Sequence, residues 1–274
     1  MRFVVLGVLA LASAGALRLD AQTQFARGQD VAPAFDGWSA NADGSYSLVF
    51  GYLNRNFQEQ LDIPVGPNNN VDLGRDSNGD SGQPTHFYPR RQRYVFKVSV
   101  PKDWAKDRKV VWTLVSRGKT SQAKGWLQPE WELNDGVIAE NSGGGVLTEG
   151  NKAPSITGAS SQTITLPGAA TLTVTATDDG IPKTRRREPG NSRSLDPDAE
   201  ARRQQGVRLK WMLFRGPGPV EFEPEAAPAV YGQPVTLTSK VSFGAPGVYV
   251  LQAIASDGQL FSVHEVKVNV NPAH

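Results

Sequence analysis

From Gly247 to Val270 apolar and polar side chains alternate almost without interruption. Tyr249, Leu251, Ala253 and Ala255 fall on one face of an extended chain, and Val266, Val268 and Val270 repeat the period against Lys267 and Asn269. A period of two marks a strand with one buried face. Asp257-Gly258 stands between the two runs and supplies a tight turn, so the pattern predicts a closing hairpin. Upstream, Leu172, Val174 and Ala176 alternate with threonines, and Trp211 lies in the run Lys210-Trp211-Met212-Leu213-Phe214, where it is expected to face a core. In the first half the same period governs Tyr46, Leu48, Phe50 and Tyr52, then Tyr94, Phe96, Val98 and Val100, then Val110, Trp112 and Leu114. Recurring short strands with turn residues between them predict an all-β protein of the sandwich type.

Three segments of the second half carry a family resemblance. They are Thr175-Ala176-Thr177-Asp178-Asp179-Gly180, the Trp211 run leading into Gly216-Pro217-Gly218, and Gly247 to Gly258. In this order they resemble the PKD-like, immunoglobulin-type repeats of bacterial surface and secreted proteins. The resemblance spans 153–271 and implies a β-sandwich, with little about chemistry. The fold class expected for the whole chain is therefore all-β, with two tandem immunoglobulin-like β-sandwich domains after a signal peptide. Residues 30–135 would form the first sandwich, on pattern alone. Residues 136–152, with Gly143-Gly144-Gly145, would form a flexible linker, and 153–271 the PKD-like sandwich. A basic insertion at 181–206 interrupts the second sandwich. A glycine linker predicts halves that unfold separately.

Residues 1–21 read as a signal peptide: a basic start at Met1-Arg2, an apolar run from Phe3 to Leu11, and small residues up to Ala21. The run is too short for a transmembrane span. The expected product is exported, periplasmic or extracellular, with no membrane span after cleavage. The chain has no cysteine, so no disulfide framework can support it and apolar cores must do so. A net charge of +2, from 29 basic and 27 acidic residues, does not point to nucleic acid.

Catalytic signals are sparse. There are three histidines, His86, His264 and His274, no Gly-x-Ser-x-Gly elbow and no thiol nucleophile. A carboxylate pair for glycoside hydrolysis stays open, because its members can lie far apart in sequence. The expected function is that of a non-enzymatic structural or protein-interaction module. The alternatives are a carbohydrate-binding accessory protein and, behind it, a hydrolase. The expected partners are a protein or a polysaccharide.

Four groups of residues are candidates for binding. Trp126 and Trp131 fall outside clear strand alternation. Exposed indoles stack on sugar rings, whereas packed ones cover the end of a sandwich. Arg185, Arg186 and Arg187 lead the basic insertion, where they can hold an acidic polysaccharide or stand solvated. No cofactor is expected, calcium apart. Asp76, Asn78 and Asp80 alternate oxygen ligands as calcium loops do, although Ser81 and Phe87 depart from the EF-hand pattern. The same residues equally make a polar turn inside 66–91, the longest irregular stretch of the first half. Asp178, Asp179 and Asp257 pose the same choice: in related sandwiches acidic residues at strand ends sometimes bind calcium, and more often cap turns.

Overall fold

The structure is a computed structural model that describes residues 24–74, 79–183 and 206–273. The N-terminal half contributes β1 (Val31–Ala40), β2 (Tyr46–Asn54), β3 (Leu61–Asp62), β4 (Asn69–Asp72), β5 (His86–Phe87), β6 (Arg90–Val100), β7 (Val110–Ser116) and β8 (Lys119–Gly125). One sheet runs β1-β2-β6 and a second β4-β7-β8, with β3-β5 as a two-stranded ribbon. Between them lies an aromatic core built on Phe50, Tyr52, Phe87, Phe96 and Trp112. A 3-10 turn at Pro129–Trp131 and helix α1 (Asp135–Asn141) follow.

The C-terminal half contributes β9 (Ser155–Gly158), β10 (Gln162–Thr165), β11 (Ala170–Thr177), β12 (Val207–Arg215), β13 (Val220–Glu223), β14 (Ala226–Val230), β15 (Val235–Phe243), β16 (Gly247–Ser256) and β17 (Phe261–Asn271). A five-stranded sheet, β10-β17-β16-β12-β14, faces a four-stranded one, β13-β15-β11-β9. The period-two residues fill the space between them: Leu172, Val174, Leu209, Trp211, Leu251 and Val266 are all fully buried. Trp211 stacks flat on Phe222, with centroids 6.2 Å apart and planes 2° from parallel. The hairpin β16–β17 pairs in register from Gly247↔Val270 to Ser256↔Phe261. Its turn is held by Asp257, whose Oδ1 accepts the Gln259 and Leu260 amides at 2.6 and 2.8 Å.

The structure departs from the sequence expectations in three places. The stretch 136–152 is not a bare glycine tether: α1 occupies its start, capped by Asn134 Oδ1 accepting the Val137 amide. Farther along, the Gln259 side chain donates to the Gly144 and Val146 carbonyls and accepts from the Thr148 amide and Asn151 Nδ2. These bonds tie the segment to the β16–β17 turn. The loop 66–91 is also less irregular than its composition suggests, since β4 and β5 lie within it. Two of its polar side chains are fully buried as bond-forming posts. Asn69 donates to the Ile63 and Pro84 carbonyls and accepts from Trp112 Nε1, while Gln83 donates to the Asn69 and Gly79 carbonyls. Finally, β2 is buried on both faces, Ser47, Val49 and Gly51 included, because the sheet β1-β2-β6 has its own core on one side and the C-terminal half on the other.

Candidate functional site at the junction of the halves

The halves meet along a surface shaped by β-bulges. Strand β12 alternates Leu209, Trp211 and Leu213 into the C-terminal core, which leaves Arg208, Lys210 and Met212 on the opposite face. A bulge between Leu213 and Arg215 then inserts Phe214, and that ring joins the core cluster of the N-terminal half. A bulge adds a residue to one strand and re-aims the side chains beyond it. Around Phe214 the backbone is bonded across the junction. Its carbonyl accepts the Thr85 amide at 3.1 Å, and the Leu213 amide donates to Tyr88 Oη at 2.8 Å. Arg215 Nε donates to the Gln83 carbonyl at 2.6 Å, and its guanidinium clasps the Asp80 carboxylate at 2.7 and 3.1 Å. Burial pushes the Tyr88 phenol up to about 12, so it stays protonated in the junction. Tyr94 stacks on Phe261 from the other side, with centroids 6.0 Å apart.

Two further bulges lie in the sheet β1-β2-β6. One, between Phe35 and Gly37, turns the Asp36 carboxylate inward. The other sits on β6 between Gln92 and Phe96, where Tyr94 adopts φ 55°. Asp36 pairs with Arg91 and accepts the Tyr94 amide at 2.7 Å. Burial raises its pKa, and Arg91 opposes that rise. Gly51 makes the pair feasible, because a Cβ there would collide with the Gln92 carbonyl and the Asp36 carboxylate. Gly37 serves the neighbouring turn, where a Cβ would come within 2.5 Å of the Trp131 carbonyl oxygen.

This scaffold holds Trp131. The Trp38 carbonyl accepts the Leu133 amide at 2.7 Å, and Trp38 Nε1 donates to the Gln128 carbonyl at 2.7 Å, which fastens the 3-10 turn along β1. Phe35 stacks against Trp131 at 5.5 Å and against Trp126 at 6.5 Å. The two candidate tryptophans are thus part of one aromatic stack, but their exposure differs. Trp126 is half-buried under the Lys109 ammonium, while Trp131 is 43 % exposed. Beside Trp131 opens a cleft of about 370 Å³ walled by Asp36, Arg93, Glu130 and Glu132.

The remaining sequence candidates divide. Asp76, Asn78 and Arg185, Arg186 and Arg187 lie outside the described residues. Asp80 is described, and its carboxylate is engaged by Arg215, which holds its pKa low. Its visible role is therefore to join the halves. Among the described residues no group of three His, Cys, Asp or Glu side chains is placed to hold a metal. Asp178 and Asp257 nevertheless share a trait that the sequence alone did not reveal. Asp178 Oδ1, Asp257 Oδ2 and Asn151 Oδ1 are buried without a hydrogen-bond partner. Burial raises both carboxyl pKa values, and the charges of nearby Asp residues add to the effect. Unpartnered buried oxygens that repel one another suit a hard cation such as calcium, with Asn151, Asp178 and Asp257 as the donors. Their sequence signal was the Asp-Asp-Gly and Asp-Gly turns; Asn151 had none.

No protein-family model matches the chain, and no curated protein matches it. Among solved structures it is similar to the PKD domain of human KIAA0319, at 17% identity over 46% of this chain and 91% of that one, with a TM-score of 0.23. It is also similar to the fibronectin(III)-like modules of Clostridium thermocellum CbhA, at 10% identity over 89% and 95% of the two chains and a TM-score of 0.25. A chimeric titin Z1Z2 matches at 11% identity over 88% and 97%, with a TM-score of 0.24. These neighbours are PKD, fibronectin III and immunoglobulin-like domains, the class that the C-terminal motifs resembled. The scores are low, and the assignment to an all-β, sandwich-type fold rests on the sheets themselves. Among the described residues no helix is long and apolar enough to cross a membrane.

Proposed function

We propose that this chain is an exported, non-enzymatic module of two tandem immunoglobulin-like sandwiches, with a structural or protein-interaction role in the cell envelope or outside the cell. The observation that carries the reading is the junction. Phe214, Arg215 and Tyr88 fix the two halves side by side, which supports a composite surface rather than two beads on a string. Envelope material passed over the immobilised mature protein should leave a saturable macromolecular partner, competed by free protein. Capture of nothing, together with turnover of an envelope polymer by the purified protein, would overturn the proposal.

A second reading, a carbohydrate-binding accessory protein, is favoured by the exposed Trp131 over its polar cleft. Glycan-array binding should vanish in Trp131→Ala and survive in Trp126→Phe, since Trp126 supports the stack from the half-buried side. Undiminished binding by Trp131→Ala would remove that site.

A further inference from the structure

We propose that Asn151, Asp178 and Asp257 form a calcium site that staples the segment joining the halves to the end of the C-terminal sandwich. The three side chains come from three places: the joining segment, the residue after β11, and the β16–β17 turn. Each commits one polar atom to the protein and leaves one oxygen over. Asp178 Oδ2 accepts the Gly180 amide at 2.9 Å, and Asp257 Oδ1 accepts the Gln259 and Leu260 amides. Asn151 Nδ2 donates to Gln259 Oε1 at 3.0 Å. The remaining oxygens, Asp178 Oδ1, Asp257 Oδ2 and Asn151 Oδ1, are buried without a hydrogen-bond partner. Asn151 and Asp257 are each 7 % exposed, too deep for bulk water to satisfy them.

Buried oxygens without donors are costly, and the charges of Asp178 and Asp257 act on one another. A bound cation relieves both penalties. Carboxylate and amide oxygens form a hard donor set, which suits calcium or magnesium rather than zinc or copper. Calcium accepts amide oxygens in a loose shell of about six to eight, whereas magnesium holds its waters and demands an octahedron. The second polar atom of each side chain is bonded, so each free oxygen is held in direction, as outer partners hold the ligands of metal sites. Two carboxylates fall short of three acidic groups, so water completes the shell. The affinity then belongs to the weak range of extracellular modules, on the order of 10⁻⁴–10⁻³ M.

The ion's leverage lies in what Asn151 belongs to. Gln259 bonds the Gly144 and Val146 carbonyls and the Thr148 amide as well as Asn151. Gly144 lies so near the turn that a Cβ there would come within 2.4 Å of the Gly258 carbonyl oxygen. Next to Asn151, the Lys152 amide donates to Asp179 Oδ2 at 3.0 Å. Bonds of this kind open locally, without global unfolding. With calcium on Asn151, Asp178 and Asp257, the segment cannot leave the turn without losing the metal contact too. Asn141 and Ser142, upstream in the chain, line the cleft between the halves, so a held segment also steadies the junction.

Titration calorimetry of the full chain, stripped with chelator, tests the site with calcium chloride and, for comparison, magnesium chloride. One calcium per chain should bind with a Kd of about 0.1–1 mM, and magnesium about tenfold more weakly. Asp178→Asn and Asp257→Asn keep the oxygen that caps each turn and put an amide group where the ion sits. Each should weaken calcium binding by about tenfold or more, with a melting temperature in chelator no lower than that of the wild type. Asp76→Asn should bind as the wild type does. Binding lost in Asp76→Asn and kept in Asp257→Asn would place the ion in the loop 76–80 and overturn the proposal. Hydrogen exchange reads the staple: saturating calcium should slow the Thr148 amide by about tenfold or more in the wild type and leave it unchanged in Asp257→Asn. Calcium bound with no change at Thr148 would overturn the staple, and no binding up to about 10 mM would overturn the site.

Discussion

Phe214→Ala probes the junction where its energy is concentrated. Phe214 belongs by sequence to β12 of the C-terminal half, yet its ring is 7 % exposed within the core cluster of the N-terminal half. Truncating a buried phenylalanine costs about 3–5 kcal/mol through lost burial and the cavity left behind. The site lies at the seam, where neighbours can settle into the gap, so the lower end, about 3 kcal/mol, applies. For a chain of this size each kcal/mol moves Tm by about 2–4 °C, which gives a fall of roughly 6–12 °C. Calorimetry should show more than the shift. The wild type should melt in one transition, whereas the variant should separate into two as the halves lose their coupling. Limited proteolysis should follow suit, with cleavage within 141–151 appearing only in the variant. A loss below about 1 kcal/mol, or two transitions already in the wild type, would refute the reasoning and restore the independent halves that the glycine-rich segment suggests.

Trp211→Ala should be among the most damaging changes, at about 3–5 kcal/mol, because the indole is fully buried against Phe222; a chemical-denaturation loss under about 1 kcal/mol would contradict that packing. Gly51→Ala should cost about 1–3 kcal/mol by driving a methyl group into Gln92 and the Asp36–Arg91 pair, and a neutral effect in the same assay would mean that the bulge yields freely. Asp178 and Asp257 give a pH signature. Their folded pKa values are raised, so with chelator present the folded state takes up protons first, and stability should rise as pH falls from neutrality toward the unfolded carboxylate range. Calcium should act oppositely, stabilising most at neutral pH and losing its effect on acidification; Asp257→Asn should weaken the pH response, leaving the part that the buried Asp178 carries, and should remove the calcium response, and melts indifferent to chelator and calcium at neutral pH would dismiss the site.

The strands were readable because burial on one face imposes a period of two. Leu172 to Ala176, Tyr249 to Ala255 and Val110 to Leu114 all face the cores that their alternation implies. The junction was not readable, for a physical reason. Bulges at Asp36, Arg93–Val95 and Phe214 add residues that break the period, so a side chain leaves its face without any change in composition. Asn69 and Gln83 misled in the opposite sense. Each looks like a solvated loop residue, yet each is fully buried, its side-chain amide donating to backbone carbonyls of the folded loop. Of the candidate site, the sequence marked Trp126 and Trp131 but not which is exposed. That depends on Phe35, some 90 residues away and between them in space.

The claim on which the rest depends is that the junction is a built interface. Amide hydrogen exchange at Thr85 and Leu213 tests it most directly, because their N–H groups donate across the seam to the Phe214 carbonyl and Tyr88 Oη. If the halves form one body, both amides should exchange only through global unfolding, with protection matching core amides such as that of Leu251. Exchange orders of magnitude faster than at Leu251, with the core of each half still protected, would show that the seam opens on its own and would contradict the account.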